Sequence, residues 1–90
     1  MTEIQYRILD CLYFVESFAH LQDEVKVPVS ILKDELISLI KQGYVDILAF
    51  DPERSDYVHC SIYDLHQLES YYFVATREGL MAHQAYQPRS

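Results

Sequence analysis

His59, Cys60, Asp64 and His66 lie close together in the sequence, and each can ligate a metal ion. A structural zinc site needs pairs such as Cys-x-x-Cys or His-x-x-x-His, which bring two ligands to one side of the chain. No such spacing occurs here, and on a strand His59 and Cys60 point to opposite faces. The set reads as surface histidines beside a core thiol. Cys11 would act as a nucleophile only in an exposed, electropositive pocket next to a base. It falls instead on the most apolar face of a helical pattern. Glu16, Asp23 and Glu24 imitate an acid–base pair but read as solvated helix charges. Gly43 and Gly79 are the only glycines, so no glycine-rich loop is available to cradle a phosphate. The expectation is a protein that is not an enzyme and that uses no cofactor and no metal.

The remaining chemistry is binding. Lys33, Lys41 and Arg54, with Ser30 and Ser38, are of the types that contact phosphates and base edges. Against them stands a formal charge of −7, from seven basic and fourteen acidic side chains. Capture of a polyanion requires several phosphates to be neutralised by Lys or Arg. An acidic chain can do this only with a concentrated basic patch, and the basic residues here are scattered. The same charge opposes anionic membranes.

Ninety residues, half of them apolar, make one globular domain with a modest core. Nothing approaches the roughly 20 apolar residues of a membrane span, and no signal peptide is recognisable at the start. Two widely separated cysteines suit a reducing compartment, so a cytoplasmic location is expected.

Hydrophobic spacing sets out the elements. Over residues 3–14, Ile4, Ile8, Cys11, Leu12 and Val15 recur at helical intervals. Tyr6, Leu9 and Tyr13 make a second stripe on another side. A helix apolar over so much of its girth needs two neighbours, or one neighbour and a partner chain. Ser17 is the expected N-cap of a second helix with Phe18, Leu21 and Val25 inward. Pro28 suits the first turn of a third. That helix, over about 28–42, points Val29, Leu32, Leu36, Leu39 and Ile40 at the core and ends at Gly43. Residues 44–50 are β-branched and aromatic enough for a strand. Residues 51–56 form a turn and "YVHCSIY" a further strand. A short helix is expected over 62–69 with Ser61 as cap and Asp64 completing a capping box. Residues 71–75 form a closing strand, on which the adjacent Tyr71 and Tyr72 cannot both face inward. Thr76 caps a last helix.

Three helices, a strand, an excursion, a strand and a helix compose an α+β, mainly α, winged-helix arrangement. The stretch "FAHLQDEVKVPVSILKDELISLIKQGYV" resembles the core of small prokaryotic winged helix-turn-helix regulators. "VATREGLMAH" resembles their closing strand, with a Thr and a Gly at the start of the last helix. The resemblance implies a three-helix core over 1–43, wing strands over 44–76, a C-terminal helix over 77–86 and a tail over 87–90. The excursion at 51–70 departs from the simplest members by its length and its own helix.

In such regulators the third helix enters the major groove. Here its outward face carries Ser30, Asp34, Ser38 and Lys41, with Ile31 and Ile37 at the flanks and Lys33 near the Ile37 edge. Asp34 would face the negative groove, and the excursion sets Arg54 against several carboxylates. Two readings follow. A regulatory module acting through protein contacts, as a homodimer or with another protein, would use Tyr6, Leu9, Tyr13, Ile31 and Ile37. A transcriptional regulator would place Ser30, Lys33, Ser38, Lys41 and Arg54 on DNA, which the charge pattern disfavours. For the Tyr6–Leu9–Tyr13 stripe, cover by a partner and cover by the fourth helix or the excursion both remain open. For Ile31 and Ile37 the competing account is burial by the wing or helix 1. The tyrosines Tyr57, Tyr63, Tyr71 and Tyr72 could stack on bases. Without interleaved basic residues they are expected to pad the joint between excursion and core.

Overall fold

The computed structural model describes residues 1–86; the tail expected at 87–90 lies outside the described residues. Helix α1 (Glu3–Cys11) starts from a capping box in which the Thr2 hydroxyl accepts the Gln5 N–H. It ends earlier than its apolar spacing predicts. The Leu12 carbonyl accepts the Ala75 N–H at 2.9 Å, which takes that residue out of the helical ladder. A two-residue strand, β1 (Glu16–Ser17), follows, which hydrophobic spacing does not predict.

Ser17 then caps α2 (Phe18–Val25), its hydroxyl accepting the His20 N–H at 3.1 Å. Lys26 closes α2 in a left-handed conformation, and the Arg7 guanidinium donates to the Val25 carbonyl at the helix end. Pro28 is the N-cap of α3 (Val29–Lys41). Gly43, at φ +78°, ends it in the left-handed region, where a side chain would be strained.

Strands β2 (Val45–Asp51) and β3 (Asp56–His59) form a hairpin with Asp51 opposite Asp56. A 3-10 helix, Leu65–Ser70, kinked at Gln67, replaces the longer helix expected over 62–69. Its cap is Asp64, which accepts the His66 N–H, rather than Ser61. A carboxylate immediately before the helical residues competes better for their free N–H groups than a hydroxyl further upstream. Strand β4 (Tyr72–Ala75) and α4 (Arg77–Ala85) complete the described chain, with Thr76 capping α4.

The sheet is antiparallel in the order β1-β4-β2-β3. The closing strand therefore pairs with β2 from one side while β3 takes the outer edge on the other. This is a small α+β domain with several helices and an open antiparallel sheet. Ile8 and Leu9 of α1, with Leu12 just beyond it, meet Phe18, Leu21 and Val25 of α2 and Leu32, Leu36 and Leu39 of α3. Val45, Ile47 and Phe73 close the core from the sheet, and Leu68 of the 3-10 helix plugs it. Each such side chain stabilises the fold by about 1.5–3 kcal/mol relative to exposure. Among the described residues, no helix is long and apolar enough to cross a membrane.

A knot of polar contacts fixes the start of α4. The Thr76 hydroxyl donates to the Gly43 carbonyl at 2.6 Å, and the Thr76 N–H donates to the Tyr44 carbonyl at 2.9 Å. Gly79 sits so close that a Cβ there would fall on the Tyr44 carbonyl oxygen. Glycine is required at this position for close approach, not for its φ.

Candidate functional site

Helix α3 presents Ser30, Asp34 and Lys41 to solvent, while Leu32, Leu36 and Leu39 point inward. Ile31 is 39% exposed. Ile37 is half-buried and packs against the core. Lys33 is not free. Its Nζ lies 2.9 Å from Glu69 Oε2, so the excursion reaches back and pairs a cation of this helix. The hydrogen bond from Lys33, helped by a backbone N–H, holds the Glu69 carboxyl below the usual carboxylate range. Ser38 is also engaged: its Oγ accepts from Gln5 Nε2 at 3.3 Å and from Gln42 Nε2 at 3.1 Å. Arg54 is exposed on the β2–β3 turn, between residues whose carboxylates serve that turn. There Asp51 accepts the Glu53 N–H, and Asp56 accepts the Tyr57 N–H. Among the described residues Ser30 and Lys41 are thus the exposed members of the phosphate-contact set on α3 without a side-chain bond, with Asp34 between them.

The stripe of Tyr6, Leu9 and Tyr13 is covered from within the chain at Leu9 and in part at Tyr6, while Tyr13 stays 40% exposed. Leu9 is 0% exposed, a core residue that offers no surface to a partner in the folded chain. Tyr6 is half-buried beneath α4. Its ring stacks on His83 at 4.4 Å between centroids and 11° between planes, with Tyr86 at 5.1 Å. Tyr13 meets the same imidazole edge-on, and its hydroxyl lies 2.8 Å from His83 Nδ1. Asp10 Oδ1 stands 3.2 Å from Nε2, which nevertheless has no hydrogen-bond partner among the described residues. The distance is short, but the carboxylate lies off the N–H direction, so the contact becomes an ion pair only when the imidazole is protonated. His83 is the organiser of this cluster, and the sequence reading missed it. A histidine four residues after Gly79, one turn along the same helix, was its only signal. Beyond the stripe, Phe14 in the turn after α1 is 79% exposed.

A second aromatic group lies on the sheet. Antiparallel register sets Phe50 opposite Tyr57 and Leu48 opposite both His59 and Tyr72. Alternation places these residues on the face turned away from Ile47 and Phe73. Phe50 and Tyr57 meet at 5.4 Å and 70°, and Tyr57 and Tyr72 at 4.9 Å and 62°. Edge-to-face contacts of this kind are favourable beyond their buried area. Leu48 is buried, whereas Phe50 and Tyr57 remain 46% and 39% exposed. Of the four tyrosines expected to pad the excursion, Tyr71 does so, half-buried against the core and accepting the Asp64 N–H on its hydroxyl, whereas Tyr63 is 39% exposed. Tyr57 and Tyr72 are held outward by the period-2 geometry of their strands.

The metal-capable residues are dispersed. His59 Nδ1 is 3.9 Å from Asp46 on the outer sheet face, while Cys60 packs against the core. Among the described residues no group of three or more His, Cys, Asp or Glu could hold a metal ion. His66, Gln67, Glu69 and Ser70 line a shallow depression of about 260 Å³, open to solvent. Burial pushes the Cys11 thiol up, and Glu24, Asp10 and Glu16 add to it against the opposing Arg7. That environment disfavours a thiolate.

Neither protein-family models, curated proteins nor solved structures give a match to this chain.

Proposed function

We propose that this chain is a winged-helix regulatory module, not an enzyme, that works through contacts with another protein or with a second copy of itself. The order of helices and the pairing of β4 with β2 and β1 support the winged-helix reading, with β3 and the 3-10 helix as additions within the wing. One observation carries the preference for protein over DNA: the 2.9 Å pair between Lys33 and Glu69. It removes a cation from the face that would meet a duplex and adds a carboxylate beside it. With Asp34 central on the same helix, few charges are left to displace counterions from DNA. Ile31, exposed among small polar residues, is the kind of side chain that a protein contact uses.

Two measurements on the purified chain test this. Light scattering over a concentration series, or titration with a partner once one is found, should register association that Ile31→Asp weakens. Mobility-shift assays with pooled genomic duplexes should give only weak retardation that disappears as salt is raised. Tight, sequence-selective retardation at physiological salt that Lys41→Glu abolishes would reverse the assignment in favour of a transcriptional regulator.

A further inference from the structure

We infer that the outer face of the sheet is a docking surface for an extended, cationic segment of another protein. This rests on the protein-binding reading and names the surface and the chemistry of the occupant. Phe50, Tyr57 and Tyr72 form a continuous edge-to-face row over Leu48. The two outermost rings of the hairpin stay 46% and 39% exposed, although every inward neighbour on β2 and β4 is packed. Rings locked against one another bring contact area at little entropy cost.

The surrounding charge selects the partner. On this face stands Asp46, with Glu53 in the turn at its end, while alternation turns Asp51 and Asp56 to the opposite side; the hairpin's single guanidinium is that of Arg54. His59, on the same face, lies 3.9 Å from Asp46 and adds positive charge only when protonated. A second copy docked face to face would bring these carboxylates together in a chain already at −7, so self-pairing here is opposed. An arginine-bearing strand satisfies both features. Its guanidinium groups lie over tyrosine and phenylalanine faces and approach the acidic rim, while its apolar side chains rest on the row between them. Addition along the β3 edge is the weaker geometry, because Asp56 already occupies the outward Tyr57 N–H. The face, not the edge, is the docking element.

The probe is a fluorescein-labelled 12-residue peptide of alternating Arg and Leu, compared with its Glu–Leu counterpart and with a labelled duplex. All are titrated into the full chain by anisotropy, and the contact is mapped by amide shifts of the ¹⁵N-labelled protein. The expected result is saturable binding of the Arg–Leu peptide, with shifts centred on 48–50, 57–59 and 72. Phe50→Ser and Tyr57→Ser should each raise Kd by about tenfold, the scale of a lost interface anchor. Asp46→Asn and Glu53→Gln leave the packing intact, so they remain informative if an aromatic variant folds poorly. Each should raise Kd by about threefold at low salt, and less as salt screens the rim. Equal binding of the two peptides overturns the inference, as does binding that shifts α3 and survives the sheet substitutions; the latter leaves the protein-binding reading intact. Binding of the duplex alone overturns both.

Discussion

The α1 segment and the sheet each carry a row of aromatic rings, and the two rows differ in whether another helix reaches them. Tyr6 and Tyr13 are recruited by His83 of α4, which stacks on one and meets the hydroxyl of the other. Phe50, Tyr57 and Tyr72 pack edge-to-face on one another, and Phe50 and Tyr57 keep an open side. Composition does not distinguish them. What does is whether the chain supplies an element to lie across the row. The last helix returns to α1, and no comparable element among the described residues closes over Phe50 and Tyr57. Surplus apolar surface on a helix can therefore be an internal joint, while the same residues on the second face of a sheet remain available to a partner.

Four substitutions break or sharpen that contrast. The largest effect belongs to Leu9→Ala. Leu9 is fully buried, so truncation leaves a cavity and should cost about 2–5 kcal/mol in a urea melt. A cost near zero would mean that the α1 row is not internal. Gly79→Ala acts on the cover itself. The added Cβ must push α4 off the Tyr44 carbonyl, at about 1–3 kcal/mol by the usual scale of overpacking. Near-ultraviolet circular dichroism should report Tyr6 and Tyr13 losing their fixed surroundings. Phe50→Ser is the counterpart on the open row and should change stability by no more than about 1 kcal/mol, as surface substitutions do.

The smallest change belongs to Glu69→Gln. The Glu69 carboxyl titrates below its ordinary range in the folded chain, because Lys33 donates to it. Its contribution to stability is therefore present above the unfolded carboxylate value and fades as pH falls through the lowered folded value. Below about pH 5 the wild type should lose this increment and converge on the Gln variant, which lacks it throughout. Urea midpoints measured across that range check it. At neutral pH the same substitution frees Lys33, and mobility shifts before and after it measure how much of the weak duplex affinity the pair suppresses.

Much of the fold is readable from local chemistry. Ser17, Thr76 and Gly43 mark helix ends because a short hydroxyl side chain or an absent Cβ has a direct job at a terminus. The buried faces of α2 and α3 follow from spacing alone. What escapes is set by distant partners. Strand β1 exists because β4 pairs with it, and nothing in the residues Glu16 and Ser17 announces an edge two residues long. The excursion helix is shortened because Asp64 rather than Ser61 takes the cap. The site was harder to read. Leu9 and Tyr13 share a stripe, yet one lies in the core and the other is 40% exposed, because α1 ends at Cys11 and Tyr13 falls in the turn beyond it. Lys33 looked like a phosphate contact because its acidic partner lies far along the chain. Phe50 was unremarkable until register set it opposite Tyr57.

The strand order also governs how the molecule comes together. Glu16 and Ser17 find their neighbours only at Phe73 and Tyr72, and the Leu12 carbonyl waits for the Ala75 N–H. Closing so long a stretch of chain before any of those bonds forms makes this step slow relative to the pairing of adjacent helices. During synthesis the three N-terminal helices emerge well before Phe73, whose ring completes their packing. The nascent chain thus passes through an interval with that apolar seam uncovered, and it ends only as the last strand leaves the ribosome.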